Sequence, residues 1–189
     1  MKLKKESYNV ENPIFLIEDY DNEDSRFTLS ENIESFKKQK VDSYINDISY
    51  YMNDNEDWTF VFNDDVLDNL MYLSCPPKQR PTTWKYKKNK ATFYNVYKID
   101  PESVKDFLAT DELEIDDIDE IDPDALFGFI PYSDRVLYES IDVADLLYKS
   151  FPEDIREELK KLSLEWITQI TNISFFFVKG VNIHPFFVF

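Results

Sequence analysis

Glycine is scarce in this chain: only two of its 189 residues, Gly128 and Gly180, are glycines. Average usage is roughly 7%, so about a dozen would be ordinary. Phosphate-cradling loops, dinucleotide-binding turns and nucleophile elbows need glycine where the backbone approaches a ligand closely or takes a positive φ. Because neither glycine has a second one near it, the sequence argues against nucleotide-dependent enzymes of these loop types, and we predict no cofactor.

The composition predicts one folded domain over residues 1–189. Apolar residues make up 43% of the chain and aromatic residues 16%, whereas disordered acidic chains are poor in aromatics. No apolar run reaches the roughly 18 residues of a membrane-spanning helix. The basic N-terminus has no hydrophobic segment behind it, so no secretory signal is predicted. With a single cysteine there is no internal disulfide, and the expected compartment is the cytoplasm.

Hydrophobic periodicity predicts an α+β fold, with an antiparallel or mixed sheet of about six strands and about five helices packed on it. Short or alternating apolar runs indicate strands at residues 14–17, 26–30, 58–62, 91–99 and 125–132, and a closing hairpin within 174–189. Helical spacing indicates helices at residues 31–52, 63–73, 101–108, 143–148 and 152–171, with Ser30 as the expected N-cap of the first. The helix at 152–171 has the most regular apolar face, so we expect it and Trp166 in the core.

The net charge of −17 is strongly segregated along the chain. Residues 76–99 hold seven basic residues and no acid, and we refer to them as the basic strip. Residues 111–124, "DELEIDDIDEIDPD", are the acidic segment, with nine carboxylates in fourteen positions. The nine carboxylates, which we predict to contact a partner, are Asp111, Glu112, Glu114, Asp116, Asp117, Asp119, Glu120, Asp122 and Asp124.

Four aliphatic residues interrupt the carboxylates of the acidic segment: Leu113, Ile115, Ile118 and Ile121. We expect them to anchor the segment on the core, because burying an isoleucine contributes roughly 1.5–3 kcal/mol. Repulsion between like charges one helical turn apart costs only a few tenths of a kcal/mol per pair. The segment is therefore predicted to be ordered without a metal ion, with its carboxylates in solvent.

The acidic segment does not have the ligand spacing of a calcium-binding loop. An EF-hand loop needs an oxygen ligand at position 5 and glycine at position 6. Counted from Asp117, these positions hold Ile121 and Asp122, so we predict no metal.

Candidate nucleophiles and bases are few. His184 is the single histidine and lies next to a proline in an apolar segment, while Cys75 precedes two prolines at the end of a helix. Structural roles account for both, and turn chemistry accounts for Ser133 in "YSDR". The sequence therefore predicts a protein that is not an enzyme.

The basic strip interleaves lysines with aromatic residues, a pattern also found in proteins that stack single-stranded bases. The sequence pI near 4.4 opposes this reading, because nucleic-acid binding needs a surplus of positive charge. The alternative is an exposed lysine loop that offsets the acidic segment, and direct nucleic-acid binding is not predicted.

An ordered array of carboxylates is tolerated most readily where a basic partner is expected. We therefore expect an acidic binding protein that neutralises a basic partner. The candidate partners are a nuclease toxin, as for immunity proteins, or a nucleic-acid-processing enzyme, as for antirestriction and phage-type, DNA-mimic-like inhibitors. Two alternatives stay open: a metal-dependent enzyme such as a nuclease built from dispersed carboxylates, and a protein whose acidity serves solubility alone.

Overall fold

The computed structural model describes residues 14–21, 24–54, 56–88, 93–110 and 121–178. Within these ranges it contains four strands and six α-helices, which confirms the α+β class but not the number of about six strands. The strands are β1 (Ile14–Asp21), β2 (Asp24–Ser30), β3 (Phe93–Ile99) and β4 (Val136–Asp142). The helices are α1 (Ile33–Asn53), α2 (Asp64–Ser74), α3 (Pro101–Thr110), α4 (Pro123–Phe129), α5 (Val143–Ser150) and α6 (Glu153–Val178).

The four strands form one antiparallel sheet in the order β2-β1-β3-β4. The central strand β1 begins with the apolar run "IFLI", in which Phe15 and Ile17 belong to one core cluster and Ile14 and Leu16 to another. Side chains alternate between the two faces of a strand, so a continuous apolar run indicates a strand buried on both faces.

Helices cover both faces of the sheet. The first core packs α1, α2, α5 and the start of α6 against one face, around residues such as Ile48, Leu70 and Leu147. The second core packs α3 and α4 against the opposite face, around Val104 and Leu126. The sheet therefore carries two separate apolar layers, and α4 also contacts the edge strand β2.

The predicted strand at residues 58–62 is wrong: Thr59–Val61 forms one turn of 3₁₀ helix. Asp57 begins this turn, because its Oδ1 accepts hydrogen bonds from the backbone N and the hydroxyl of Thr59 at 2.9 and 2.6 Å. Trp58 and Phe62, four residues apart, are both buried in the first core. An apolar run of five residues fits either structure, and the local hydrogen bonds from Thr59 to Asp57 favour the turn.

The predicted strand at residues 125–132 is also wrong, because Pro123–Phe129 is α4. The Oδ1 of Asp122 accepts hydrogen bonds from the backbone N atoms of Asp124 and Ala125, at 3.0 and 3.4 Å. Pro123 occupies the first turn, where its missing N–H is not needed. An N-cap followed by proline is a start signal for a helix, and the apolar "ALFGFI" obscured it.

Two further corrections concern helix ends. The Oδ1 of Asn32, and not Ser30, caps α1 by accepting from the backbone N of Ser35 at 3.0 Å. The helix predicted at 152–171 extends to Val178, so residues 174–178 are helical and not part of a hairpin. Residues 179–189 lie outside the described ranges. Within those ranges, the search for a helix of sufficient length and apolarity to cross a membrane finds none.

Helix α6 enters the first core through its N-terminal half. Ile155 and Leu159 are buried, whereas Ile170 is exposed. Trp166 is half-buried and packs on the ring of Trp84. The core position predicted for this helix therefore holds for its N-terminal turns, where Leu162 also packs against the first core, and not for Ile170.

Candidate functional site

The structure describes only the end of the acidic segment. Seven of its nine predicted contact carboxylates, Asp111, Glu112, Glu114, Asp116, Asp117, Asp119 and Glu120, lie outside the described residues. Ile121 is 3% exposed and belongs to the second core, as the anchoring hypothesis expects. Asp122 and Asp124 are exposed at the start of α4, where a negative charge is favourable beside the positive end of the helix dipole.

Asp122 already has a structural role among these carboxylates. Its Oδ1 caps α4, so a partner that bound this atom would compete with the helix N-terminus. Asp124 makes no such cap within the described residues, and of the two it is the more available contact charge.

The basic strip is held against α2 by hydrogen bonds and ion pairs. The backbone N of Lys87 donates to Oδ1 of buried Asn69 at 2.8 Å, and Nδ2 of Asn69 donates back to the Lys87 carbonyl at 3.3 Å. The ammonium of Lys87 lies 3.0 Å from carboxylates of Asp65 and Asp68, whose hydrogen bonds raise its pKa. Arg80 donates to the Cys75 carbonyl at 2.9 Å at the end of α2.

The aromatic residues of the basic strip are turned towards the protein and not towards solvent. Trp84 is 8% exposed and its Nε1 donates to Asp68 at 3.0 Å. Tyr94 is buried in the first core, and the hydroxyl of Tyr86 donates to Asp142 at 2.8 Å. Base stacking needs an exposed ring face, so these three rings do not form a stacking platform.

The edge strand β4, which the sequence patterns did not predict, carries the most exposed apolar run among the described residues. Val136, Leu137 and Tyr138 are 61%, 54% and 58% exposed. The first half of β4 is exposed on both faces and its register is irregular, so it lacks the clean alternation on which strand prediction depends. The sequence patterns predict only the turn "YSDR" before this strand and the helix at 143–148 after it.

A β-bulge in β4 turns two successive side chains to the same face of the sheet. Val96 of β3 pairs with Glu139 and Tyr97 pairs with Leu137, so Tyr138 is the extra residue. The ring of Tyr138 reaches across to Phe15 of β1, with centroids 5.2 Å apart. Bulges re-aim side chains in this way and recur beside functional sites.

The bulge and the start of α1 enclose a groove of about 240 Å³, which we call the edge groove. Its described lining residues are Phe15, Glu31, Asn32, Ile33, Glu34, Tyr138 and Glu139, and none of them is basic. Three carboxylates therefore lie around the aromatic rings of Phe15 and Tyr138.

The side chain of Lys37, a residue of α1, bridges two of these carboxylates. Its Nζ donates to Glu139 Oε2 at 2.9 Å and to Glu34 Oε1 at 3.0 Å. Partial burial lowers the pKa of Lys37, but its hydrogen bonds to Glu139 and Glu34 and their charges outweigh that effect and raise it. The edge groove thus has three carboxylates, those of Glu31, Glu34 and Glu139, and one ammonium, that of Lys37. Its net charge is therefore negative.

A larger open hollow of about 540 Å³ lies along α6, and its described lining residues all belong to that helix. Its lysines are already engaged: Lys160 lies 2.9 Å from Glu157, and Lys161 lies 3.5 Å from Glu158. Acidic and basic residues balance there, so this surface favours no class of charged partner.

A polar network occupies the face of the sheet opposite the edge groove. The Tyr97 hydroxyl and Asn95 Nδ2 donate to the same Oε2 of Glu18, at 3.0 and 3.2 Å. Ser140 Oγ donates to Asn95 Oδ1 at 3.1 Å. Burial, the hydrogen bond to Glu18 and the charge of Glu18 raise the pKa of Tyr97 to about 12. A tyrosine held neutral in this way aligns the strands and is a poor proton donor near neutral pH.

The candidate nucleophiles that the structure describes, Cys75 and Ser133, lie where structural roles account for them. Cys75 is buried at the end of α2, as predicted, and Ser133 Oγ donates to Asp134 Oδ1 at 2.9 Å in an exposed turn. His184 lies outside the described residues. Across the ranges that the structure describes, no three His, Cys, Asp or Glu side chains converge as a metal site would require.

A scan against protein-family models and searches of curated proteins and of solved structures find no match to this chain.

Proposed function

We propose that this protein is an acidic cytoplasmic binding protein that neutralises a basic partner by steric and electrostatic blockade, without turnover. The observation that carries the proposal is the edge groove, where Glu31, Glu34 and Glu139 surround exposed Tyr138. An exposed apolar patch with a polar rim is typical of a protein-protein contact.

The partner class follows from the chemistry of that surface. The net charge of −17 accelerates encounter with a basic protein, with association rates up to roughly 10⁸–10⁹ M⁻¹s⁻¹ at low salt. Proteins that handle nucleic acid present lysine and arginine to phosphates. We therefore propose a nuclease toxin or a nucleic-acid-processing enzyme as the partner.

The acidic segment supplies further contact charge in this proposal. Ile121 ties its C-terminal end to the second core, and Asp122 and Asp124 are exposed beside that anchor. The edge groove and the acidic segment are therefore two separate candidate contact surfaces, and substitutions distinguish them.

The experiment begins with cross-linking and identification of the partner in the native host, followed by calorimetry on the two purified proteins at several salt concentrations. The segment variant carries Asp116→Asn, Asp117→Asn, Asp119→Asn and Glu120→Gln. The groove variant carries Glu31→Gln, Glu34→Gln and Glu139→Gln. The matched control removes three charges from α6, through Asp154→Asn, Glu158→Gln and Glu165→Gln.

We expect a basic partner whose activity is suppressed at a stoichiometric amount of this protein. At least one of the two test variants should bind about tenfold more weakly, which corresponds to about 1.4 kcal/mol, with a shallower dependence on salt. The α6 control should bind within about twofold of the unmodified protein. A partner without a basic surface, or equal affinity for all variants at every salt concentration, would refute the proposal.

A further inference from the structure

Strand β4 has an open edge. Within the described residues it pairs on one side only, with β3, and Val136, Leu137 and Tyr138 remain more than half exposed. An edge strand offers unpaired N–H and C=O groups to any further strand, and proteins normally protect it. In β4 the sequence "VLYESID" contains neither lysine nor proline, and its protecting features are the bulge at Tyr138 and two acidic side chains.

The strand at the opposite edge of the sheet, β2, has a helix packed against it. Helix α4 packs beside β2, where the rings of Phe127 and Phe27 stack with centroids 4.1 Å apart. Exposed Arg26 adds a charge to β2. Strand β2 is thus packed by α4 on one face, whereas β4 presents three successive apolar side chains to solvent, and exposed strands at the edge of a sheet are where an additional strand can dock.

Charge selects the occupant of this edge. A second copy of the chain would bring a net charge of −17 towards −17 and place its own glutamates near Glu139, Glu34 and Glu31. An extended segment with lysine or arginine side chains meets the same three carboxylates with opposite charge.

We propose that β4 docks an extended basic segment of the partner as an additional strand of the sheet. The inference rests on the proposed function and specifies how its partner is held. Side chains of an added strand alternate between the two faces of the sheet. Basic residues at alternate positions would lie on the α1 face beside Glu139 and Glu34, and the intervening apolar residues would lie beside Leu137.

A defined probe tests this geometry: a fluorescein-labelled seven-residue peptide of alternating lysine and valine, with both termini blocked. Two further peptides carry N-methyl groups either on all the valines or on all the lysines. The three have the same charge, but in a strand the N–H groups of alternate residues point to the same side. Binding is measured by fluorescence anisotropy, and the site by amide hydrogen exchange of the protein.

We expect one N-methylated peptide to bind at least about tenfold more weakly than the unmethylated one, and the other to bind nearly as well. Exchange should slow at residues 136–140. Val136→Lys should weaken binding about fivefold or more, whereas Val136→Glu at the same exposed position should not weaken it.

Equal binding of all three peptides would mean attraction by net charge alone and would overturn the docking mode. Protection at other residues, or equal effects of Val136→Lys and Val136→Glu, would overturn it as well. The proposed function is judged separately on the native partner. A basic partner whose affinity survives Val136→Lys leaves the function intact and refutes the β4 edge, whereas a partner without a basic surface refutes the function itself.

Discussion

The indole rings of Trp84 and Trp166 pack together with their centroids 4.6 Å apart. Trp84 belongs to the basic strip and also donates a hydrogen bond to Asp68 of α2 at 3.0 Å. Trp166 belongs to the later turns of α6. This contact therefore joins the basic strip to both helices and explains why the strip is part of the fold.

Replacing Trp84 and Trp166 with alanine should destabilise the protein to different extents. Trp84→Ala should destabilise the protein by about 3–5 kcal/mol, because the ring is buried. Trp166→Ala should cost about 1–3 kcal/mol, because that ring is half-buried. Urea unfolding followed by far-UV circular dichroism measures both. A larger loss for Trp166→Ala would show that the C-terminal half of α6 is more deeply packed than its exposure indicates.

Asn69 should be a main anchor of the basic strip. Asn69→Ala removes the partner of both the Lys87 N–H and the Lys87 carbonyl, and should cost about 1–3 kcal/mol of unfolding free energy. Amide exchange in residues 84–88 should accelerate. Asn46→Ala, at an exposed position of α1, is the matched control and should be neutral or slightly stabilising. Similar losses for the two variants would contradict the anchor.

Ile121 should attach the acidic segment to the second core. Ile121→Ala should destabilise the protein by about 2–4 kcal/mol, as other buried isoleucine truncations do, when measured by thermal or urea unfolding. Ile170→Ala, on an exposed side chain, should change stability by less than about 0.5 kcal/mol. A neutral Ile121→Ala would mean that the segment has no apolar anchor at this end.

Divalent ions should leave the stability of the protein unchanged. A ligand that binds only the folded state raises stability by RT ln(1 + [L]/Kd), and the acidic segment lacks the glycine and the ligand spacing of a calcium loop. Calcium or magnesium at about 1 mM should therefore not raise the unfolding midpoint. A rise in the midpoint, with calcium-dependent exchange protection in residues 113–121, would favour the metal-dependent alternative.

Tyr97 should make stability fall at high pH. Its folded pKa is about 12, above the ordinary value of 10.0, so the unfolded chain releases the proton first. The contribution to stability is complete below about pH 10 and is lost as the pH rises through about 12. Tyr97→Phe should therefore lose less stability than the unmodified protein between about pH 9 and pH 11.5 in urea titrations. Parallel pH dependences would exclude Tyr97 as the cause.

Several elements were predictable because their signals are local. The β3 alternation, the Asn63 cap of α2, whose Oδ1 accepts from Val66 N at 2.9 Å, and the α5 helix all depend on near neighbours in the chain. The short apolar runs at 58–62 and 125–132 were misassigned. Burial alone does not distinguish a strand from a helical turn over five to eight residues, and the local hydrogen bonds of Asp57 and the Asp122 cap favour the helical structures.

The sequence by itself determined the charge balance, the absence of glycine-rich loops and a strand at the start of β1, because these depend on composition and local spacing. Only the tertiary structure decided which carboxylates surround an apolar surface. Glu31 and Glu34 are more than a hundred residues from Glu139, and they meet because the start of α1 lies beside the bulge of β4. No local pattern encodes that contact, since it depends on strand order and on an irregular register between β3 and β4.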